Sequence, residues 1–346
     1  MFYRPCVSFF ALVIIALSPA SPILAQRSPN ANTYYQQLRG LLPGGEVITV
    51  KEFELKRDAA VFTFHSGSFA FYGEVNGKVT GAVFRGQGHL HITPPTAEER
   101  HNLTILNQSD EFDQDFDQVV LRFTDGTAAE LHKAATGKGN SDSEYVRAGQ
   151  SLQEFARHHL HDNIDLRVLQ DVLSPSPGGF FFAAIHGKGN PHLFFEYDPQ
   201  GVSFLAPEEV VLFNSNDWGD TYLLAFHRAE EYANGNPSSN ERNATYSIPK
   251  ADLDTTIEKS GFLTGLATID IHPEQDGVAV VPLNLYPTLR VSKVETAQGD
   301  SLDFVQEKKD DDPNFAVVLA HPLKKSDSVT LKIYYGGKEV VEDEGN

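Results

Sequence analysis

The fold class of this chain is decided by three consecutive segments: EVITVKEFELKRD (46–58), AVFTFHSGSFAFYGEV (60–75) and VTGAVFRGQGHLHITP (79–94). Apolar and polar residues alternate in each of them, which is the pattern of a β-strand that buries one face. The Asn76-Gly77 pair between the second and third segments is typical of a two-residue hairpin turn. We therefore predict a mainly β protein.

Helical patterns interrupt the strands. The segments Ala31–Leu42, Thr127–Ala135 and about 151–173 carry apolar residues at spacings that favour one helix face. The last two predict a helical insertion at about residues 127–173 within the β structure. A further short helix is predicted over Asp220–Tyr232.

The chain is longer than one hydrophobic core usually organises, so we predict two β-rich domains. The best linker is NGNPSSNERN (234–243), which contains no apolar side chain except its proline. It separates an N-terminal domain (31–233) from a second domain (244–338), which an acidic tail (339–346) follows. Strand segments in the second domain recur every ~8–12 residues, which is typical of sandwich-like antiparallel structure.

The first 25 residues have the organisation of a secretory signal peptide. Arg4 precedes a short apolar region (7–17), and Ile23 and Ala25 stand at the −3 and −1 positions of a cleavage site. The apolar region is too short to span a bilayer, so membrane insertion is not expected beyond the signal. We expect an exported protein, located in the periplasm or outside the cell.

Composition excludes several classes of function. The net charge of −19 argues against binding to nucleic acid, which requires a positive surface. Cys6 is the only cysteine and lies in the signal peptide. The mature chain therefore has no disulfide, no thiolate metal site and no cysteine nucleophile.

Four segments of the second domain are distinctive when they are taken together in this order: DTTIEKSGFLTGLAT (254–268), VPLNLYPTLRV (281–291), GDSLDFVQE (299–307) and AHPLKKSDSVTLKIYYGG (320–337). This succession resembles the N-terminal β domain of zinc aminopeptidases of the membrane-alanine-aminopeptidase (gluzincin) type. The resemblance implies a saddle-like β domain that abuts a catalytic zinc domain. That catalytic domain would follow these residues, so we expect this chain to be cut short before it.

The catalytic residues of that family have no counterpart in this sequence. A gluzincin holds zinc with H-E-x-x-H on a helix, and none of the 13 histidines is followed by Glu. The G-x-M-E-N type of substrate-binding motif is also absent, since Met1 is the only methionine. We predict that the chain alone is inactive, with no catalytic or cofactor-binding residue. Zinc would belong to the missing domain, and the expected partners are that domain or a downstream polypeptide, together with its peptide substrate.

One cluster has helical spacing that suits a metal ion. His158, His161 and Asp162 stand at i, i+3 and i+4, so a helix would place all three on one face. The alternative is a solvent-facing helix surface with no ligand.

A second set of candidates lies on predicted strands. His89 and His91 alternate and therefore point to one face, where His65 is a candidate third ligand. The alternative is a set of polar residues on the exposed face of a half-buried strand. Asp113, Asp115 and Asp117 also alternate, but a calcium loop needs Gly and Glu where Gln118 and Thr124 stand. We interpret these carboxylates as a solvated acidic run.

Three functions therefore remain open from the sequence. The first is the non-catalytic N-terminal region of an exported aminopeptidase-like zinc metallopeptidase, which positions or covers the catalytic domain. The second is a secreted, non-enzymatic β-domain binding protein. The third is an unfamiliar metal-dependent hydrolase built on the histidine clusters.

Overall fold

The computed structural model describes residues 31–160, 163–188, 190–201, 208–216, 219–235, 237, 245–308, 315–338 and 340. The predicted signal peptide, most of the predicted linker and nearly all of the predicted acidic tail lie outside these residues. The domain boundaries therefore stay predictions.

The fold is mainly β, as the alternation predicts. In chain order the strands up to residue 226 are β1 (Pro43–Arg57), β2 (Ala60–Tyr72), β3 (Glu74–Val75), β4 (Lys78–Val79), β5 (Gly81–Ile92), β6 (Phe112–Phe123), β7 (Gly137–Lys138), β8 (Phe181–Gly187), β9 (Asn190–Tyr197), β10 (Val210–Asn216) and β11 (Gly219–Phe226). The strands beyond it are β12 (Tyr246–Ile257), β13 (Leu263–Pro273), β14 (Val278–Leu283), β15 (Arg290–Thr296), β16 (Ser301–Gln306), β17 (Phe315–Leu323) and β18 (Val329–Gly337). The helices are α1 (Ala31–Arg39), α2 (Ala97–Asn107), α3 (Thr127–Ala134), α4 (Ser143–His159), α5 (Ile164–Leu173) and α6 (Ala229–Ala233).

Two large antiparallel sheets contain most of the strands. The first has nine strands in the order β11-β10-β9-β8-β6-β5-β2-β1-β7, and the second has seven in the order β12-β13-β18-β15-β16-β17-β14. The short strands β3 and β4 form a separate hairpin, whose turn is the predicted Asn76-Gly77 pair. Both turn residues have positive φ, at 51° and 69°, a conformation that Asn and Gly adopt more readily than other residues.

Both faces of the nine-stranded sheet bury apolar side chains, but different elements cover them. One face carries a core of phenylalanines in which Phe64 meets Phe69 and Phe84 with ring centroids 4.9 and 4.7 Å apart. The other face packs against α1, α4 and α5 and also against apolar residues of the seven-stranded sheet, such as Val280 and Val318. The two sheets therefore share this core, and a separate core that includes Ile271 and Leu331 lies within the seven-stranded sheet.

Two predicted helices need correction. The predicted helix over 151–173 is two helices, α4 and α5, and α4 already begins at Ser143, because the Asp142 side chain caps the amide of Glu144. Asn163 caps α5 by accepting from the amide of Leu166, which starts a new helix. The predicted helix over Asp220–Tyr232 is wrong: most of this segment is strand β11, whose buried Leu224 and Phe226 pair with β10, and only α6 is helical.

The seven-stranded sheet leaves a long edge exposed. β12 lies at the end of this sheet, and every residue from Pro249 to Ile257 is solvent-exposed. Two of these exposed residues, Leu253 and Ile257, have large apolar side chains and are 68% and 58% exposed. A strand with one unpaired edge and exposed apolar side chains is a template for pairing with another strand.

We expect the double substitution Leu253→Lys with Ile257→Lys to reduce self-association of the purified chain without lowering its melting temperature. Lysines on an edge strand repel a second edge, and the replaced side chains contribute little to the core. Light scattering and a thermal melt at several concentrations measure both effects. Ile105→Lys on α2 is the matched control, because Ile105 is 69% exposed. Equal suppression by the control would show that association does not depend on β12.

No helix among the described residues is long and apolar enough to cross a membrane.

Candidate functional site: a histidine–aspartate face of the nine-stranded sheet

The register of β5 and β6 brings predicted histidines and predicted aspartates together. His89 stands opposite Asp115, and His91 stands opposite Asp113. Residues directly opposite on antiparallel strands point to the same side of the sheet, and their side chains are close enough to interact. Leu90 and Ile92 point to the other side and are fully buried. The apolar alternation of β5 therefore holds both imidazoles toward solvent.

The imidazoles and carboxylates form a continuous hydrogen-bonded ladder. Asp113 Oδ1 lies 2.9 Å from His89 Nε2 and 2.9 Å from His91 Nδ1. The other nitrogen of His89, Nδ1, lies 2.8 Å from Asp115 Oδ1. His91 Nε2 lies 3.0 Å from the hydroxyl of Thr93. One carboxylate oxygen therefore bridges two rings, and His89 has a carboxylate on each side.

This arrangement favours charged forms of both partners. Partial burial lowers the pKa of His89, but the hydrogen bonds to Asp115 and Asp113 and their negative charges together raise it by more, so the net pKa is above its ordinary value. Partial burial raises the pKa of Asp113, but the hydrogen bonds to His91 and His89 and their positive charges together lower it by more, so the net pKa is below its ordinary value. Both ring nitrogens of His89 contact carboxylate oxygens, which suits an imidazolium that donates from each of them.

An open groove extends from this ladder along the same sheet. It has a volume of about 830 Å³ and is lined by residues that include His65, Asp115, Asp117, His186 and Lys188. His186 Nδ1 lies 2.9 Å from Asp117 Oδ1, and His65 Nδ1 lies 3.2 Å from Glu52 Oε2. The histidine–aspartate face is defined as His89, His91, Asp113, Asp115, Asp117 and His186.

Two register irregularities shape this groove. The β2–β5 register shifts between Phe64 and Ser66, and the β6–β8 register shifts between Phe116 and Gln118. A bulge leaves the extra residue out of the ladder and redirects its side chain. The extra residues at these two shifts are His65 and Asp117, and both line the groove.

The face offers one set of atoms that suits a metal ion. His89, His91 and Asp113 each supply a nitrogen or oxygen, and these three atoms lie within 4.8 Å of one another. Imidazole and carboxylate are ligands that zinc accepts. Because a ligand nitrogen must be deprotonated, binding would compete with the proton that the carboxylates hold on His89.

The structure unites two candidate sets that the sequence left separate. His89 and His91 share a face, as predicted, but the third member beside them is Asp113 from β6 rather than His65, which contacts Glu52. Asp113, Asp115 and Asp117 are solvated, as interpreted from the sequence, with 53%, 74% and 73% of their side chains exposed, and each also contacts an imidazole.

The helical candidate cluster lies outside the residues that the structure describes. His161 and Asp162 are not described, and neither is the side chain of His158. These residues therefore stay untested candidates. The histidine–aspartate face does not correspond to the zinc ligands that the aminopeptidase resemblance implies, because its histidines have strand rather than helical spacing.

We expect His89 to titrate above the value of about 6.5 that is usual for histidine. The reason is that Asp113 and Asp115 stabilise the imidazolium. Asp113→Asn should lower the pKa of His89, as measured by the pH dependence of the histidine ring resonances in NMR spectra. Protonated His89 stabilises the folded chain because its pKa is higher there than in the unfolded chain. This stabilisation is fully present below the pKa that His89 has in the unfolded chain, and it is lost as the pH rises through the pKa of His89 in the folded chain. Asp327→Asn, on a distant turn, is the control. A His89 pKa that Asp113→Asn leaves unchanged would contradict the ladder.

Comparisons with known proteins give a distant and partial relationship. No family model matches the sequence, and no curated protein matches it significantly. Among solved structures, the M1 zinc metallopeptidase from Deinococcus radiodurans is similar at 23% identity and a TM-score of 0.24, over 27% of this chain and 21% of that chain. A mutant form bound to a Tyr-Ser-Ala substrate is similar at 21% identity and a TM-score of 0.25, over 29% and 22% of the two chains. This chain therefore spans about a fifth of the length of these metallopeptidases.

Proposed function

We propose that this chain is the non-catalytic, β-rich region of an exported zinc-metallopeptidase-like protein, and that its seven-stranded sheet positions or covers a catalytic domain. The observation that carries the proposal is the succession of aminopeptidase-like segments from residue 254 to residue 337. These segments supply strands from β12 to β18, which all belong to one sheet. The activity itself would belong to the partner domain.

The exposed edge of that sheet supports a role in contact with another polypeptide. β12 presents nine consecutive exposed residues, Pro249–Ile257, with Leu253 and Ile257 among them. Such an edge can accept a strand from a partner, with backbone hydrogen bonds supplying affinity. A catalytic domain seated there would remove the apolar side chains from water.

The absence of cysteine from the mature chain allows a sharp test of this contact. Leu253→Cys introduces a single thiol on β12, to which a photoactivatable cross-linker can be attached. The labelled chain is incubated with the exported protein fraction of its source, and cross-linked products are identified by mass spectrometry. We expect a product that contains a polypeptide with an H-E-x-x-H segment. Ile105→Cys on α2 is the matched control and should not give this product.

Two results would overturn the proposal. One is cross-linking from Leu253→Cys only to a second copy of this chain. The other is hydrolysis of aminoacyl-coumarin substrates by the purified chain alone in the presence of zinc, because the proposal assigns catalysis to another domain.

Export is part of the proposal and gives a separate prediction. We expect the mature protein to begin at Gln26, because Ala25 and Ile23 suit signal peptidase at the −1 and −3 positions. Intact mass and N-terminal sequencing of the secreted protein measure this start. Ala25→Arg should block cleavage and leave the precursor uncut. A mature protein that still carries Cys6 would contradict the prediction.

A second candidate function is metal or ligand binding at the histidine–aspartate face. The observation that favours it is the close grouping of His89, His91 and Asp113 beside the open groove. Titration of the metal-free chain with zinc tests it, with His91→Asn as the variant and the exposed His272→Asn as the control. Equal zinc binding by both variants would remove this candidate.

A further inference from the structure

A second group of ligating side chains lies where the edge strand β11 and its neighbour β10 meet α6. Val210 pairs with Phe226, so Glu209 and His227 occupy adjoining positions just outside the paired residues. Glu231 lies on α6, four residues after His227. Three consecutive elements therefore direct one imidazole and two carboxylates to the same place.

The distances within this group suit a shared ion. His227 Nδ1 lies 2.9 Å from Glu209 Oε2 and 3.9 Å from Glu231 Oε2. One atom from each of the three residues lies within 4.8 Å of the others. Ligands bound at about 2.0 Å to a tetrahedral zinc ion lie roughly 3.3 Å apart. The two observed distances bracket that value, so small side-chain shifts would complete the coordination.

Burial distinguishes this group from the exposed histidine–aspartate face. His227 is only 4% exposed, and the side chains of Glu209 and Glu231 are 14% and 22% exposed. The imidazole is therefore almost fully buried, and the two carboxylates are closer to solvent.

One nitrogen of His227 faces both carboxylates. This nitrogen is Nδ1, so Nδ1 is the atom that would bind an ion shared with Glu209 and Glu231. The other nitrogen, Nε2, is buried and has no hydrogen-bond partner among the described residues. It points away from the carboxylates and contributes no ligand to this group.

The surroundings of this group are strongly acidic. Burial raises the pKa of Glu99 on α2, and the neighbouring charges of Glu208 and Glu98 raise it further. Arg228 binds the other carboxylate oxygen of Glu231, Oε1, through Nε at 3.0 Å and Nη2 at 2.6 Å. This leaves Glu231 Oε2 facing the imidazole. The excess of carboxylates over cations favours a divalent cation over an anion or a neutral ligand.

We propose that Glu209, His227 and Glu231 form a binding site for a divalent transition-metal ion, with zinc as the ion that this ligand set suits best. One imidazole and two carboxylates supply three ligands, and the side open to solvent leaves a position for water or another ligand. The ion would tie α6 to the ends of β10 and β11. This site goes beyond the function proposed above and does not depend on it.

Zinc titration of the whole metal-free mature chain tests the site. Binding is measured by competition with a chromophoric chelator, and cobalt substitution reports coordination through its visible absorption. We expect one high-affinity ion per chain. His227→Asn and Glu231→Gln should each raise the zinc dissociation constant by at least about tenfold. Removal of a group that only orients a metal ligand already has an effect of that size, and these variants remove a ligand itself.

Two control variants make the result specific. Glu230→Gln changes the exposed neighbour of Glu231 on α6 and should bind zinc as the unmodified chain does. His272→Asn changes an exposed histidine outside both candidate metal groups and should also leave this high-affinity binding unchanged. Circular dichroism checks the folding of each variant, and Glu231→Gln decides the outcome if His227→Asn does not fold. The proposal is overturned if the unmodified chain binds no zinc, or if Glu231→Gln binds zinc as tightly as the unmodified chain does.

Discussion

Replacement of Arg167 by methionine is expected to destabilise the chain by about 3–5 kcal/mol, the usual cost of removing one partner from a buried ion pair. Arg167 is 3% exposed, and it binds Asp198 through two parallel contacts of 2.7 and 2.8 Å. Its third nitrogen lies 3.0 Å from Asp171 on the same helix. The substitution leaves two carboxylates buried without their cation.

Chemical unfolding with guanidinium chloride measures this loss as a lower midpoint with an unchanged slope. Arg147→Met is the matched control, because Arg147 pairs with Glu144 on the exposed side of α4 with 69% of its side chain exposed. Exposed pairs of this kind contribute about 0–1 kcal/mol. If Arg167→Met costs no more than the control, Asp171 and Asp198 do not need the guanidinium to stay buried.

Replacement of Phe64 by alanine is expected to cost a similar amount, about 3–5 kcal/mol, through loss of buried area and formation of a cavity. Phe64 is fully buried and packs edge-to-face on Phe69, Phe84 and Phe116. It also adjoins the β2 bulge at His65, so its loss should disturb the groove. The ring resonances of His65 and His186 should therefore shift or broaden in NMR spectra.

Phe53→Ala provides the graded comparison for this core. Phe53 stacks on Phe64 at 6.0 Å but is only partly buried, so its removal should cost clearly less. Thermal and chemical unfolding of both variants gives the ranking. A larger loss for Phe53→Ala would contradict the position of Phe64 at the centre of this core.

Part of the histidine–aspartate face could be predicted from sequence, and part could not. The period of two in GHLHI is sufficient to place His89 and His91 on one side of a strand. Their partner Asp113 comes from β6, which α2 separates from β5 along the chain, so the pairing depends on the strand register. A shift of that register by one residue would turn Asp113 to the other side of the sheet.

The group at His227 shows the opposite case. The sequence predicts a short helix over 220–232. The pairing of β11 with β10 overrides that local preference by burying Leu224 and Phe226. This pairing alone brings His227 beside Glu209, which precedes it by 18 residues.

The mainly β fold, the hairpin turn at Asn76-Gly77 and the lack of H-E-x-x-H could all be read from the amino-acid sequence, because alternation, turn chemistry and residue identity are local properties. Three other features became visible only in the folded chain: the core shared by the two sheets, the contact of His89 and His91 with Asp113, and the grouping of His227 with Glu209 and Glu231. Such contacts between distant residues depend on strand order, register and bulges. These are set by how the apolar faces of many segments pack together, not by any one segment.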